Sequence, residues 1–582
     1  MFGLTIAIGG VCGLVAVAFH ESIQFIQEQT IDRAFAASGH ASIAWTIAIP
    51  TIGALLAGVL LYYVVPGARG SGIPQVKVAY TLGSKRLQFR DSVGKFVIGA
   101  LQIGTGSSLG REGPTVQICA GVASTMGRFV GVASQKLNLL LPVGAAAGIA
   151  AAFNAPIAAV TFTIEEIIGT LDQTLLSGVI VAAALAAAVE RTVLGEHPVF
   201  AIPDGYRLDH ASSLLLYAAL GIAAALVSVA FTESLLFVRR WFARSTTLPG
   251  WFKPAVGGLV AGLLAVLAMT FLQVGGITGG GYEVLGSALS GNVVVEVSLG
   301  LCALKFLATV FSYGSGGAGG IFAPALFIGG MLGGAFGNLD VAVFGHSHAE
   351  VGAFALVGMG AVFAGIIRAP ITSVLIIIEM TGGYALALPL MIANMMAYGL
   401  ARRLRPTPIY EALLEQDGVR LHPEPEDDPL DRATIDRVPF VPEPYAWFSP
   451  ETRADALIEP QATAGRQEVF PVVDASRRLL GIVTLADLAA LAGKADLEDL
   501  VCAADVMRAP IALRMSDLLH TALDLMTANG VRELPVVDVD RRVVGMIDEA
   551  AVAHAYIEAR ARRRALSPES IAHGSAGRAP HG

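Results

Sequence analysis

Residues 104–115 read GTGSSLGREGPT, and residues 314–325 read GSGGAGGIFAPA. At an offset of 210 the first stretch places Gly104, Gly106, Gly110 and Pro114 on Gly314, Gly316, Gly320 and Pro324 of the second. A second pair lies further along: VGAAAGIAAAFNAPIAAVTFTIE at 143–165 and VGMGAVFAGIIRAPITSVLIIIE at 357–379, at an offset of 214. There Ala155-Pro156-Ile157 falls on Ala369-Pro370-Ile371, and Glu165 on Glu379. Two blocks at nearly one offset describe a chain of two related halves, about 1–195 and 210–405. Matching Gly/Pro-broken apolar segments in both halves are the sequence sign of a repeat-built transporter with its site at the repeat interface. Whether the halves run parallel or inverted depends on the number of spans in each, which hydropathy leaves open.

The surroundings of these blocks are membranous. The chain has 582 residues, of which 54% are hydrophobic and 15% charged, with a mean hydropathy of +0.64. Asp, Glu, Lys and Arg make up 36 of residues 1–400 but 50 of residues 401–582, or 9% against 27%. A long apolar body therefore precedes a soluble tail. Uncharged runs at 34–68, 137–164, 254–282, 306–339 and 380–401 exceed the roughly 20 residues that cross a bilayer. The N-terminal MFGLTIAIGGVCGLVAVAFH lacks a basic leader region and a cleavage site, so it reads as a first span. The net charge of −8 offers no footprint for nucleic acid. Cys12, Cys119, Cys302 and Cys502 form no CxxC pair, which implies no metal site and fits a reducing compartment or bare membrane.

So many Gly and Pro interruptions predict broken or re-entrant helices, tolerated at membrane depth only when buried in protein or lining a water-filled path. A half-helix N-terminus offers unpaired N–H groups and partial positive charge, so it attracts anions. Gly70-Ser71-Gly72-Ile73-Pro74, Gly110-Arg111-Glu112-Gly113-Pro114 and Gly319-Gly320-Ile321-Phe322-Ala323-Pro324 have this form. Their convergence could hold a dehydrated anion. No GK[ST] follows the glycines, which sets aside a phosphate loop. Ser71 alone could equally satisfy a neighbouring carbonyl. Glu112, Glu165, Glu166 and Glu379 are costly at membrane depth unless paired or functional. Glu112 could form a local ion pair with Arg111, or could occupy an anion position as a carboxylate and leave it once protonated. Of adjacent Glu165 and Glu166, one can face a water path while the other packs; a Glu in both halves makes Glu379 a structural residue.

At these residues the sequence resembles the CLC family of chloride channels and chloride/proton antiporters. GSGIP (70–74), GREGPTVQ (110–117), GGIFAP (319–324), FNAPIAAVTFTIEE (153–166) and PIY (408–410) match its motifs in order across about residues 1–415. The resemblance implies an all-α polytopic fold, an inverted repeat with broken and re-entrant helices, dimeric, with one pathway per subunit. It implies hydroxyls from Ser71 and Tyr410 on a central anion, and backbone amides around Gly320, Ile321 and Phe322 on an outer one. Glu112 would be the gating glutamate and Glu166 the inner proton-transfer glutamate of antiporters. The expected function is chloride transport coupled to proton counter-transport, with no enzymatic activity. A passive voltage- or pH-gated chloride channel of the same fold is the alternative. Gln75 and Lys77 depart from the family pattern after GSGIP and bear on the proton route.

Arg402, Arg403 and Arg405 end the last apolar run, which places the tail on the cytoplasmic side of a bacterial inner membrane. HPEPEDDPLDR (422–432) lies in a linker spanning 416–435. EVFPVVDASRRLLGIVTLADLAAL (468–491) and RELPVVDVDRRVVGMIDEAAVAHAY (532–556) each read strand, turn, strand, helix. The pair resembles tandem CBS domains, at 436–495 and 500–560, with 561–582 expected to be disordered. That resemblance implies a possible adenine nucleotide at Thr484 and Asp487. The matching positions of the second unit are Asp548 and Ala551, and a purely structural dimerisation module remains the other reading. No cofactor is required by the body. Chloride, protons, lipid and a second copy of the chain are the expected partners.

Overall fold

The computed structural model describes residues 2–566 except 84–86, 170–172, 196–198, 201–205, 207–209, 211, 349, 420, 422–432, 439–444, 454–455, 457–466 and 493–500. The chain divides into two compact units, Met1–Leu421 and His422–Gly582. Nearly every described residue of the first unit's core is helical, and among the described residues eight helices are long and apolar enough to cross a membrane. The N-terminal helix Phe2–Gln29 is one of them.

Several uncharged runs that look continuous in the sequence are in fact broken. Residues 137–164 form two helices, Leu140–Phe153 and Pro156–Phe162, separated at Asn154, whose backbone is left-handed with φ 51°. Its repeat counterpart Arg368, 214 positions on, is also left-handed with φ 71° and separates Glu350–Ile367 from Pro370–Thr381. Each break precedes an Ala-Pro in which Pro opens the next helix, where its missing N–H costs nothing. The run 306–339 likewise divides into Val295–Gly314 and Phe322–Phe344.

The halves are joined by reciprocal contacts between repeat-related residues, as a two-fold relationship requires. Gly110 and Gly320 exchange backbone hydrogen bonds, N–H to carbonyl, both at 2.7 Å. Gln102 Oε1 accepts from Ala318 N at 2.8 Å, while Ser312 Oγ, 210 positions after Gln102, accepts from Ser108 N at 3.2 Å. Glu379 accepts from Ile157 N and Ala158 N at 3.1 and 2.7 Å. Glu165 accepts from Ile371 N and Thr372 N at 3.1 and 2.9 Å. Each carboxylate thus caps the broken helix of the other half, satisfying orphan N–H groups that lipid could not. The structure gives Glu379 the structural role expected of it and makes Glu165 its partner in that role.

Close helix packing inside each half is matched too. Helix Glu112–Phe129 lies against Leu140–Phe153, and Phe322–Phe344 against Glu350–Ile367. A side chain at Gly144 would fall 2.4 Å from the carbonyl of Cys119, and one at Gly358 2.3 Å from that of Gly329. Small residues at such crossings let backbones approach where no hydrophobic effect drives association. Buried Lys95 donates to the carbonyls of Ala68 (2.9 Å) and Gly70, and buried Lys305 to those of Gly276, Ile277 and Gly279 at 2.7–3.1 Å. Each ammonium therefore satisfies the irregular backbone ahead of a broken helix.

Among the described residues the second unit contains five strands: β1 (Val469–Val473), β2 (Leu479–Thr484), β3 (Leu513–Arg514), β4 (Glu533–Val537) and β5 (Val543–Asp548). β1 pairs antiparallel with β2; β4 pairs antiparallel with β5 and parallel with β3. Both hairpins turn through a left-handed arginine, Arg477 (φ 64°) and Arg541 (φ 61°). Leu479 N donates to Arg541 O at 2.9 Å and Val543 N to Arg477 O at 3.1 Å, joining the hairpins reciprocally. Two expected boundaries shift. Ile435 N donates to Asp517 O at 2.9 Å, so this end of the expected linker belongs to the second unit. The last helix, Glu549–Leu566, carries the strong helix formers of AYIEARARRRAL beyond residue 560; residues 567–582 lie outside the described residues.

Candidate functional site

The three Gly/Pro segments do converge. Helices begin at Ile73, Glu112 and Phe322, one from each segment. Gly72 has φ 109°, a conformation natural to glycine, and its missing side chain leaves room for the Gly113 carbonyl, which would lie 2.3 Å from a Cβ. A Cβ on Gly113 would fall 2.6 Å from Ser71 Oγ, and one on Gly320 3.1 Å from Gly113 N. Only glycine permits three helix starts to meet this closely.

Glu112 is 1% exposed. Its Oε2 accepts from the Ala323 amide at 3.3 Å, in the first turn of helix Phe322–Phe344, and its Oε1 accepts a short hydrogen bond from the Tyr282 hydroxyl. The carboxylate therefore sits where a half-helix N-terminus would hold an anion. Arg111 does not turn to Glu112: Nη2 donates to the Ala152 carbonyl at 3.2 Å, and the guanidinium lies 5.7 Å from the Tyr282 ring centroid. The local ion pair considered from sequence is not formed. Phe322 is fixed by Phe153, Phe162 and Phe363, with ring centroids 4.7, 5.7 and 4.3 Å away.

One expected donor is already committed. The Gly320 amide gives its hydrogen to Gly110, so the bridge between halves takes what was assigned to an outer anion. The amide that meets the Glu112 carboxylate belongs to Ala323, one residue beyond Ile321 and Phe322. Tyr282, absent from the sequence expectations, had a signal in the glycine-rich GGITGGGY (275–282).

Ser71 and Tyr410 are both fully buried. They face one another closely, yet neither hydroxyl has a well-formed hydrogen-bond partner. Two buried hydroxyls without partners are costly in an apolar interior unless something polar is meant to meet them. A cavity of about 730 Å³ lies beside Arg69, next to Gly70, and is also lined by Arg239, Arg240, Arg244 and Lys253.

Glu166 lies in a π-helical turn, Thr163–Ile168, that continues helix Pro156–Phe162. Such turns are rare and frequent at functional sites. Lys77 Nζ donates to Glu166 Oε1 at 3.0 Å and to Glu411 Oε1 at 3.3 Å. Glu166 is 6% exposed at its side chain and Glu411 38%, so the lysine links a buried carboxylate to one at the protein surface.

In the second unit, Asp487 Oδ2 accepts from Thr484 N and Oγ1 at 3.0 and 2.6 Å, and Oδ1 from Arg508 Nη2 at 2.7 Å. Burial opposes its ionisation, but the Arg508 and Thr484 hydrogen bonds outweigh it and hold the carboxyl below the usual range. Asp548 instead caps its helix, accepting from Ala551 N at 2.7 Å.

The family model described as "Voltage gated chloride channel" matches residues 53–402. This chain belongs to that family. The H(+)/Cl(-) exchange transporter ClcA of Salmonella arizonae is 34% identical over 421 residues, 70% of this chain and 86% of the relative. The proteins of that name from Salmonella paratyphi B and Salmonella newport match equally. Among solved structures, a slow cyanobacterial Cl-/H+ antiporter aligns with a TM-score of 0.65 at 28% identity, covering 72% of this chain and 97% of its own. A eukaryotic CLC transporter, at 21% identity, shares the fold over 94% of this chain with a TM-score of 0.65. The all-α membrane fold and the C-terminal α/β region expected from sequence are those of the voltage-gated chloride channel family with a CBS domain. The CBS family model matches residues 503–558.

Proposed function

We propose that this chain exchanges chloride for protons across a bacterial inner membrane, as a transport protein and not an enzyme. The observation that carries the reading is the Glu112 carboxylate on the N-terminus of helix Phe322–Phe344, together with the unpartnered Ser71 and Tyr410 hydroxyls. Ionised, Glu112 takes an anion's place; protonated, it yields that place to chloride, so each departure ties an anion to a proton. Ser71 and Tyr410 would hold a central chloride, and the amides of Ile321, Phe322 and Ala323 an outer one. Glu166 would pass protons on the inner side, with Lys77 holding it in place. The basic cavity beside Arg69 supplies a positive approach for anions.

Arg239, Arg240, Arg244, Arg402, Arg403 and Arg405 would mark the cytoplasmic face, which puts the CBS region there. Ile157, Ile371, Leu388 and Met391 turn outward at 54–60% exposure on broken or neighbouring helices, a face suited to lipid and to a second copy in a homodimer. Thr484 and Asp487 would receive the ribose of an adenine nucleotide. The ion pair between Lys77 and Glu166 is the observation that favours the second reading, a passive chloride channel. Reconstitution in liposomes separates the two: an imposed chloride gradient drives protons uphill through an exchanger and leaves them at equilibrium with a channel.

A further inference from the structure

At the far end of helix Phe322–Phe344 from Glu112, two helices and the turn between them bring metal-binding side chains together. Asp340, near that helix's C-terminus, is fully buried; His346 follows in the connecting turn, and Glu350 opens the next helix. His346 Nδ1 lies 2.8 Å from Asp340 Oδ2 and 3.8 Å from Glu350 Oε2. Ser213, opening helix Ser213–Arg244, places its hydroxyl 3.2 Å from Asp340 Oδ1 and 3.3 Å from Glu350 Oε2. The His210 ring stacks on His346 with centroids 4.1 Å apart, and His210 Nε2 is 3.9 Å from Glu350 Oε1.

A buried His–Asp pair alone would be an ordinary structural device. Here a second carboxylate shares the same imidazole nitrogen and the same hydroxyl, and a second imidazole lies over the first. Among the described residues no lysine or arginine pairs with either carboxylate. Two carboxylates this close repel, and a divalent cation neutralises both at once. The Asp340, His346 and Glu350 ligand atoms all lie within 4.8 Å of one another. A tetrahedral zinc with bonds of about 2.0–2.2 Å needs its ligand atoms roughly 3.4 Å apart, so small side-chain shifts suffice.

We propose that Asp340, His346 and Glu350 form a regulatory site for a first-row divalent cation such as zinc, with His210 stacked on His346 at its rim. Mixed nitrogen and oxygen ligands select such metals over calcium or magnesium. The cation ties the end of helix Phe322–Phe344 to the start of Glu350–Ile367, and the first of these begins at the amide that holds Glu112. Loaded with metal, that helix shifts less readily and exchange slows. The slowing rests on the antiport reading above; the binding does not.

The test begins with calorimetric titration of zinc sulfate into the purified full chain in detergent. The wild type should show a saturable site that Asp340→Asn and His346→Gln each weaken at least tenfold. His348→Gln, two residues away and exposed, should leave it unchanged. His210→Gln, on the open rim of the site, should weaken it about threefold to tenfold and stands in for any buried variant that does not fold. No saturable site in the wild type, or equal affinity in wild type and His210→Gln, overturns the site. In liposomes, external zinc should at least halve chloride-driven proton movement, reversibly with EDTA, and spare His346→Gln. Binding with unchanged flux overturns the regulatory role. A wild type that moves no protons without zinc counts against the antiport reading instead, and calorimetry alone then decides the site.

Discussion

The Tyr282 hydroxyl donates to the Glu112 carboxylate across 170 positions of sequence and holds it against the first turn of helix Phe322–Phe344. A hydrogen bond to a charged group contributes about 1.5–3 kcal/mol. Chloride and the carboxylate compete for one position, so weakening the carboxylate's hold favours chloride. Tyr282→Phe should therefore tighten chloride binding by about tenfold at 1.4 kcal/mol per decade, with proton coupling intact. Calorimetric chloride titration checks this, and unchanged affinity would remove Tyr282 from the competition.

Glu112→Gln should abolish proton movement while chloride flux persists. A neutral side chain cannot cycle between occupying an anion position and leaving it. Paired chloride and pH electrodes on one liposome preparation measure both; uphill proton movement in the variant would sink the mechanism.

Lys77 faces Glu166 at 3.0 Å in a nearly closed environment. Removing one partner of a buried ion pair costs about 3–5 kcal/mol, because the other charge is left uncompensated. Lys77→Met should lower thermal stability markedly and slow proton transfer. The double variant Lys77→Met/Glu166→Leu should regain stability relative to Lys77→Met alone, a non-additivity read from a double-mutant cycle. Additive losses would mean that the pair is not coupled.

Glu165 and Glu379 each accept two amide hydrogens from the opposite half, and Glu165 also accepts from the Thr372 hydroxyl at 2.7 Å. Leaving such donors without a partner, where neither protein nor lipid supplies another, costs about 1–3 kcal/mol apiece. Both alanine variants should be destabilised, Glu165→Ala the more. Melting temperatures in detergent decide the order.

Asp487 is held below the ordinary carboxyl range by Arg508 and Thr484 against the effect of burial. A carboxyl depressed in the folded state binds fewer protons than its unfolded counterpart, so it adds stability above the unfolded value of about 3.9 and loses it as pH falls through the folded one. Acidification below about pH 4 should therefore loosen the second unit less steeply in Asp487→Asn than in wild type, followed by hydrogen exchange. AMP binding to the full chain should also be lost in Asp487→Ala; equal binding in both would remove the nucleotide assignment.

The repeated blocks, the membrane body and the Gly/Pro segments that open the meeting helices were legible in the sequence. Charge depletion, Gly/Pro spacing and an offset near 210 are linear properties that survive without coordinates. The periodicity of an uncharged run does not say where it breaks, so the divisions at Asn154 and Arg368 emerge only with their left-handed backbone. Nor does an α-helical wheel anticipate the π turn that carries Glu166. Tertiary structure alone decided the partners: Lys77 with Glu166 and Glu411, 89 and 334 positions away, Gly320 with Gly110, and Asp340 with His346 and Glu350 against Ser213. A residue type advertises what it can donate or accept; which group meets it depends on how distant segments pack, and in this chain inter-half hydrogen bonds consume some of the donors that local motifs offer.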